Sequence, residues 1–346
     1  MNSHNPNPNP FHHLIDLASE RLGGKSVITN DDFFASKNNL LKASVPIFIP
    51  GKYTERGKWM DGWESRRRRT PGFDWCIVKL GVPGKIQGVN IDTAFFLGNY
   101  PEHFSLEAAN CTKAETPAGL VKSNVNWVEI ISKTALKGGG DNFFPVSNNE
   151  SFTHVRLNIF PDGGVARLRV YGEVTPDWKR LKRVKVPIDL ASIAKGATVI
   201  TCNDNFFGLK DNLILPGRSL NMGDGWETKR KRGPGHDWIV VKLGATGTIK
   251  KIEVDTHYFK GNFPDSCSIE GLCYPKRDLT EKDFNSTTLL KWTEILPQTK
   301  LKAHHRHFFD KVLSESNKGK NFDYVRLNIF PDGGISRLRV YGLAKP

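Results

Sequence analysis

The chain is written twice. Residues 155–164 (VRLNIFPDGG) recur letter for letter at 325–334, 170 residues later. Upstream, Asp61-Gly62-Trp63-Glu64 returns as Asp224-Gly225-Trp226-Glu227, Asp74-Trp75 as Asp237-Trp238 and Asp92-Thr93 as Asp255-Thr256, each 163 residues on. Residues 15–19 return at 188–192, so the first copy carries about ten extra residues before its Asp-Gly-Trp-Glu. A period of about 165 residues is far too long for a solenoid or a propeller blade, so each copy must be a complete domain. The expected organisation is a disordered N-terminus at 1–10, repeat 1 at 11–172, a linker at 173–187 and repeat 2 at 188–346. The linker (EVTPDWKRLKRVKVP) is basic, carries Pro176 and Pro187, and belongs to neither repeat pattern.

Within a copy the periodicity is that of strands. Val155, Leu157 and Ile159 alternate with Arg156, Asn158 and Phe160, which puts the apolar set on one sheet face. Pro161-Asp162-Gly163-Gly164 is turn chemistry, and after it Ala166, Leu168 and Val170 alternate with Arg167, Arg169 and Tyr171. The pair reads as a β-hairpin with one apolar and one arginine-rich face. Further strands are expected at 75–80, 86–96, 104–108 and 127–131, and helix only at 11–22 and around Ala191. Many short strands between turn signals imply an all-β fold, an antiparallel sandwich in each half.

Composition narrows the partners. With 346 residues and 38% hydrophobic content the chain can bury two cores, and Lys plus Arg exceed Asp plus Glu to give a net charge of +14. That excess favours an anionic partner, polyanion or small acid. No stretch approaches the roughly 20 apolar residues of a membrane-spanning helix, and the N-terminus lacks the basic start and apolar run of a signal peptide. The five cysteines, Cys76, Cys111, Cys202, Cys267 and Cys273, form no C-x-x-C pair, which fits a reducing, cytoplasmic setting. No membrane partner is expected.

The basic runs 66–69 (RRRR) and 229–232 (KRKR) each lie between Asp-Gly-Trp-Glu and a Pro-Gly-x-Asp-Trp. A solvated face and a nucleic-acid patch are the ordinary readings of such runs. A polyanion groove gains nothing from acids interleaved with its cations, so no nucleic-acid partner is expected. Arginine held beside fixed carboxylates suits a small ligand with a carboxylate and amide-like groups, because guanidinium grips carboxylate bidentately. Candidate ligand-binding residues are therefore Arg67 and Arg230, with Trp63, Trp226, Asn99, Asn262, Arg156 and Arg326 from the neighbouring repeated motifs. Asp92 and Asp255 close a strand before a turn and could equally cap their own loops. His304, His305 and His307 crowd one segment without a fixed carboxylate, so no metal ligand set and no cofactor are expected, and a divalent metal is left open. Walker, Rossmann, H-E-x-x-H and G-x-S-x-G patterns do not occur.

Four motifs stand in the same order in both halves: Asp-Gly-Trp-Glu-x-[RK]-R-[RK]-R, Gly-x-Asp-Trp, Asp-Thr-x-x-Phe-x-Gly-Asn and Phe-Pro-Asp-Gly-Gly. Over about residues 11–346 this combination resembles the allantoicase family. The resemblance implies a pair of jelly-roll β-sandwiches similar to galactose-binding-like domains. It also implies hydrolysis of allantoate to ureidoglycolate and urea in purine catabolism, acting on a linear amidine-type C–N bond, and a homo-oligomer. Allantoate, a small carboxylate bearing two ureido groups, fits the pocket read from the arginines. The family often shows Gly-His-Asp-Trp and Asp-Thr-Ala-His-Phe, whereas repeat 1 has Phe73 and Phe95 at those histidines, and repeat 2 keeps His236 but has Tyr258, with His257 one place early. The repeats are therefore expected to differ.

Replacing a ureido group by hydroxyl needs a proton for the departing nitrogen and a base for water. Glu227, Asp255 and His236 in repeat 2, with Glu64 and Asp92 in repeat 1, are the candidate acids and bases. The alternative is a tandem β-sandwich that binds a small ligand or carbohydrate without catalysis.

Overall fold

The structure, a computed structural model, describes residues 9–111, 116–122, 125–183, 185–285 and 290–345. The chain separates into two compact units, Met1–Pro176 and Asp177–Pro346. Of the segment 173–187 read as a linker, the first two residues close the strand Arg167–Val174, and Trp178–Arg183 is a short helix. Residues 1–8 of the segment read as a disordered N-terminus lie outside the described residues. Among the described residues no helix is long and apolar enough to cross a membrane.

Each unit is built on one strand of 19 residues, Asp74–Asp92 in repeat 1 and Asp237–Asp255 in repeat 2. In repeat 1 its first half pairs antiparallel with Lys25–Thr29 and Ser151–Phe160, and its second half with Arg167–Val174 and Phe143–Pro145. From Ser151–Phe160 the sheet continues to His103–Ala109 and then Val128–Ala135, while Ile15–Asp16 borders Arg167–Val174 on the other side. One strand thus serves two layers, and the all-β jelly-roll expectation holds. Repeat 2 copies the scheme, with Thr198–Cys202 and Phe322–Phe330 on the first half of its long strand, and Arg337–Ala344 and Arg306–Phe309 on the second. The handover falls at glycine. A Cβ on Gly84 would sit 2.5 Å from the Glu173 carbonyl oxygen, and one on Gly247 2.5 Å from that of Leu343.

The alternating apolar sets meet inside. Val155, Leu157, Ile159, Leu168, Val170, Ile86, Val89 and Ile91 have no accessible surface. Each such side chain contributes about 1.5–3 kcal/mol relative to exposure.

Three sequence expectations are corrected. Residues 154–160 and 166–171 do not pair as a hairpin: Ser151–Phe160 and Arg167–Val174 bind opposite halves of the long strand. The Phe-Pro-Asp-Gly-Gly turn instead delivers Gly164–Val165 to Trp63–Glu64. Residues 11–22 hold the two-residue strand Ile15–Asp16 and a single 3-10 turn, Glu20–Leu22, because Asp16 Oδ1 accepts from the Ala18 and Val170 backbone amides and ties the segment to the sheet. The matching stretch of repeat 2 is likewise a two-residue strand, Ile188–Asp189, and a 3-10 turn, Ile193–Lys195.

The arginine-rich face is not a solvated one. Arg167 is 1% exposed and donates to the Ser44 carbonyl (3.0 Å), the Asp61 carbonyl (2.9 Å) and Asp61 Oδ2 (2.7 Å). Arg337 does the same to the Asp224 carbonyl (2.5 Å) and Oδ2 (3.0 Å). These buried forks fasten the loop that leads into Asp-Gly-Trp-Glu in each repeat.

Candidate active site

Trp63–Glu64 is a two-residue strand paired with Gly164–Val165, and Trp226–Glu227 pairs with Gly334–Ile335 in the same way. Successive side chains of a strand point to opposite faces. The tryptophan goes inward: Trp63 and Trp226 have no accessible surface, and each indole N–H donates at 2.7 Å to a carbonyl, of Asp31 and of Asp204. Both rings, read from the sequence as ligand-binding candidates, are wholly enclosed by protein here. The glutamate goes the other way and is half-buried.

Glu64 Oε1 accepts from Asn99 Nδ2 at 2.7 Å, and Asn262 Nδ2 donates to Glu227 Oε1 in repeat 2. Burial raises both carboxyls above their ordinary value, and the amide hydrogen bond offsets part of that rise. The last motif sets the partner in place. Gly164 N donates to the Asn99 carbonyl at 2.8 Å, and Gly163, at φ 138°, lies so close to that loop that a Cβ would stand 2.8 Å from the Asn99 oxygen. The structure therefore joins two sequence candidates from distant motifs, Glu64 with Asn99 and Glu227 with Asn262.

The basic run is sorted by alternation. Arg66 pairs with Asp31 at 2.6 Å and lies over the Phe33 ring, while Arg68 pairs with Asp74 at 2.5 Å and its backbone amide donates to Asp162 Oδ2 at 2.8 Å. In repeat 2 Lys229 lies over Phe206, Lys231 pairs with Asp237 at 2.9 Å, and the Lys231 amide donates to Asp332 Oδ2 at 2.7 Å. Arg67, Arg69, Arg230 and Arg232 are exposed and make no ion pair among the described residues. Asn30, Asp31, Thr70, Asp74 and the run 66–69 line an open cleft of about 340 Å³. Arg69 and Arg232 are equal candidates that the sequence reading passed over. Their signal was there, because residues two apart in extended chain face the same side.

The other predicted residues lie elsewhere. Arg156 is held bidentately by Glu107 (both contacts 2.6 Å) and stacks over Trp127, and Arg326 is held by Glu270 (2.6 Å) over Trp292. Both guanidinium forks grip a carboxylate of the neighbouring strand. Asp92 and Asp255 are buried, and each uses Oδ1 to accept from the amide two residues on, Ala94 at 2.8 Å and His257 at 2.9 Å. Asp255, with no accessible surface, also faces Arg218 at 3.2 Å. Both aspartates thus cap the loop that follows their strand. His236 packs its ring on Phe330 (centroids 4.7 Å apart), where Phe73 packs on Phe160 (4.9 Å). Among the described residues no group of three or more His, Cys, Asp and Glu is arranged to hold a metal ion.

This geometry can be set beside known proteins. The family model described as allantoicase repeat matches residues 15–175 and again 188–345. The chain is 48% identical to an allantoicase of Dictyostelium discoideum over 325 residues, covering 94% of this chain and 86% of that one. It is 46% identical to a probable allantoicase of Burkholderia mallei, covering 95% and 94%. Among solved structures, an allantoicase from Saccharomyces cerevisiae superposes with a TM-score of 0.78 at 37% identity, covering 95% and 92%.

Proposed function

Because the chain belongs to the allantoicase family, we propose that its repeated glutamate–asparagine pairs and outward arginines are the machinery for its reaction, the hydrolysis of allantoate to ureidoglycolate and urea in purine degradation. Water adds its oxygen to the central carbon and gives up one proton, the C–N bond to one ureido group breaks, and the departing urea nitrogen takes up one proton, so that none is gained or lost overall. A half-buried carboxyl whose ordinary value is raised keeps its proton to higher pH and can deliver it to that nitrogen, the role assigned to Glu64 and Glu227. Asn99 and Asn262 fix the carboxyl and offer amide groups of the kind a ureido group recognises. Arg67 with Arg69, and Arg230 with Arg232, seat the substrate carboxylate. The single observation that carries this reading is that both repeats leave the same two arginines of the run without an acid while tying the other two cations back to the scaffold.

Asp92 and Asp255 hold their turns and act on the site through the Gly-Asn loop that follows them. His236 stands at the rim of repeat 2 and assists there. The acids Asp31, Asp74 and Asp162 interleaved with the run favour a small anion over nucleic acid. Assembly into a homo-oligomer belongs to the same reading, supported by the exposure of Phe206 and Phe207 at 59% and 62%. Cytoplasmic placement is supported by five free cysteines.

The test is urea release from allantoate by the purified chain and by two double variants, Arg67→Ala with Arg69→Ala and Arg230→Ala with Arg232→Ala. Loss of a charged hydrogen bond of about 1.5–3 kcal/mol, roughly 10- to 150-fold, is expected in KM for whichever repeat binds substrate. An unchanged KM in both would overturn the carboxylate clamp.

A further inference from the structure

The histidines that crowd residues 304–307 fall into two kinds. His307 is used up by the fold: its Nε2 accepts from the Lys302 amide at 2.8 Å and its Nδ1 contacts the Val254 carbonyl at 3.1 Å. His304 is not. Its Nδ1 accepts from the Tyr258 amide at 2.9 Å, which leaves the ring proton on Nε2, pointing away from that bond. The His304 ring lies 4.7 Å, centroid to centroid, from that of His257, whose Nδ1 meets Ser219 Oγ at 3.2 Å. Arg218 completes the group. It faces Asp255 through Nε (3.2 Å) and Nη2 (3.4 Å), its side chain is 46% exposed, and Nη1 has no partner among the described residues.

Repeat 1 shows that the fold does not require this cluster. The backbone matches: Thr93 N donates to the Gly140 carbonyl at 2.9 Å as Thr256 N donates to that of His305 at 3.0 Å, so His304 occupies the place of Gly139. Gly139 has φ 88°, and His304 is held at φ 51° in the same left-handed region. A glycine adopts that conformation freely, whereas a histidine there carries strain on the order of 1–3 kcal/mol. Ala94 stands where repeat 2 has His257. Repeat 2 therefore tolerates strain to aim an imidazole that repeat 1 does without. Burial and the Arg218 charge both push the His257 imidazole down, so a bound anion is what would bring its proton back.

We infer that Arg218, His257 and His304 form a binding site for a small oxyanion, a carboxylate or a phosphate, present in repeat 2 alone. Arg218 and His304 both lie close enough to His257 for their charges to act on it, and the group sits beside the buried Asp255, whose own charge Arg218 already meets. None of its residues belongs to the arginine runs 66–69 and 229–232.

The experiment follows the imidazole Cε1–H resonances of the full chain while inorganic phosphate or acetate is added at constant ionic strength. The His257 and His304 signals are expected to shift saturably, with whichever anion saturates at lower concentration naming the chemistry. His304→Gly, which installs the repeat 1 residue, should weaken binding at least tenfold while the melting temperature stays level or rises. His257→Ala, read through His304, should do the same. Absence of a saturable shift with either anion, or an affinity unchanged in both variants, would overturn the site.

Discussion

The two repeats share their skeleton residue for residue and part company in what they place on it. The buried arginine on its aspartate, the tryptophan on its carbonyl and the glutamate on its asparagine recur in both. Repeat 1 uses its extra residues for a small hairpin, Tyr53–Thr54 with Gly57–Lys58, whose Arg56 lies over Phe33 and shelters the aromatic pair Phe33 and Phe34. Among the described residues repeat 2 has no matching hairpin, and its Phe206, under Lys229, and Phe207 are 59% and 62% exposed. At the end of the long strand the contrast reverses: repeat 1 stacks Phe95 on Phe48, and repeat 2 builds Arg218, His257 and His304 around Asp255. Duplication has kept the parts that position a carboxyl and two arginines, and left the rims free to specialise.

If that skeleton is shared in energy as well as in shape, the largest effects come from cutting it. Arg167→Met takes the guanidinium from Asp61, which keeps Lys42 at 2.9 Å, and Arg337→Met takes it from Asp224, both in a buried setting where losing one partner of an ion pair costs about 3–5 kcal/mol. Calorimetric melting of each variant should show losses of that size and similar to one another. A loss below about 1 kcal/mol in either would break the equivalence.

A smaller effect separates the repeats by pH. His154 of repeat 1 is buried, and burial followed by the nearby Lys79 charge pushes its imidazole from the ordinary 6.5 down to about 4, while repeat 2 has Tyr324 at that position. The unfolded chain binds a proton there below 6.5 and the folded chain does not until about 4. This contribution to stability is thus complete above pH 6.5 and is lost as pH falls toward 4. His154→Tyr should flatten the fall in urea midpoint across that window, and an unchanged slope would remove His154 from the account. The smallest effect expected is from His236→Phe, which gives repeat 2 the rim of repeat 1. Turnover should fall by less than about tenfold, below the 10²-fold or more of a general acid or base. A larger loss would make His236 central to the chemistry and the repeats unequal in mechanism.

What could be read before the structure followed from local physics. A letter-for-letter repeat announces two domains, and Val155, Leu157 and Ile159 announce their strand by period two. The hairpin was misread because turn chemistry at Pro161-Asp162-Gly163 says that the chain reverses, without saying which strand receives it; in a jelly roll the receiver is the opposite layer. Residues 11–22 resembled a helix because their apolar spacing fits one, whereas Asp16 bonds to Val170, more than 150 residues away. Nothing in the sequence around Arg167 or Trp63 signals their burial, which rests on partners, Asp61 and the Asp31 carbonyl, that only the folded chain brings close. The glutamate candidates fared differently because the Trp-Glu dipeptide in a two-residue strand must turn one side chain in and the other out.

The most direct measurement is allantoate turnover by three variants, Glu64→Gln, Glu227→Gln and the two combined, each shown to be folded by its melting curve. Glutamine keeps the shape and the asparagine contact and cannot give up a proton. The double variant is expected to lose about 10²-fold or more in kcat with KM little changed, and the single variants apportion that loss between the repeats. Wild-type turnover in the double variant would contradict the assignment and place the acid elsewhere.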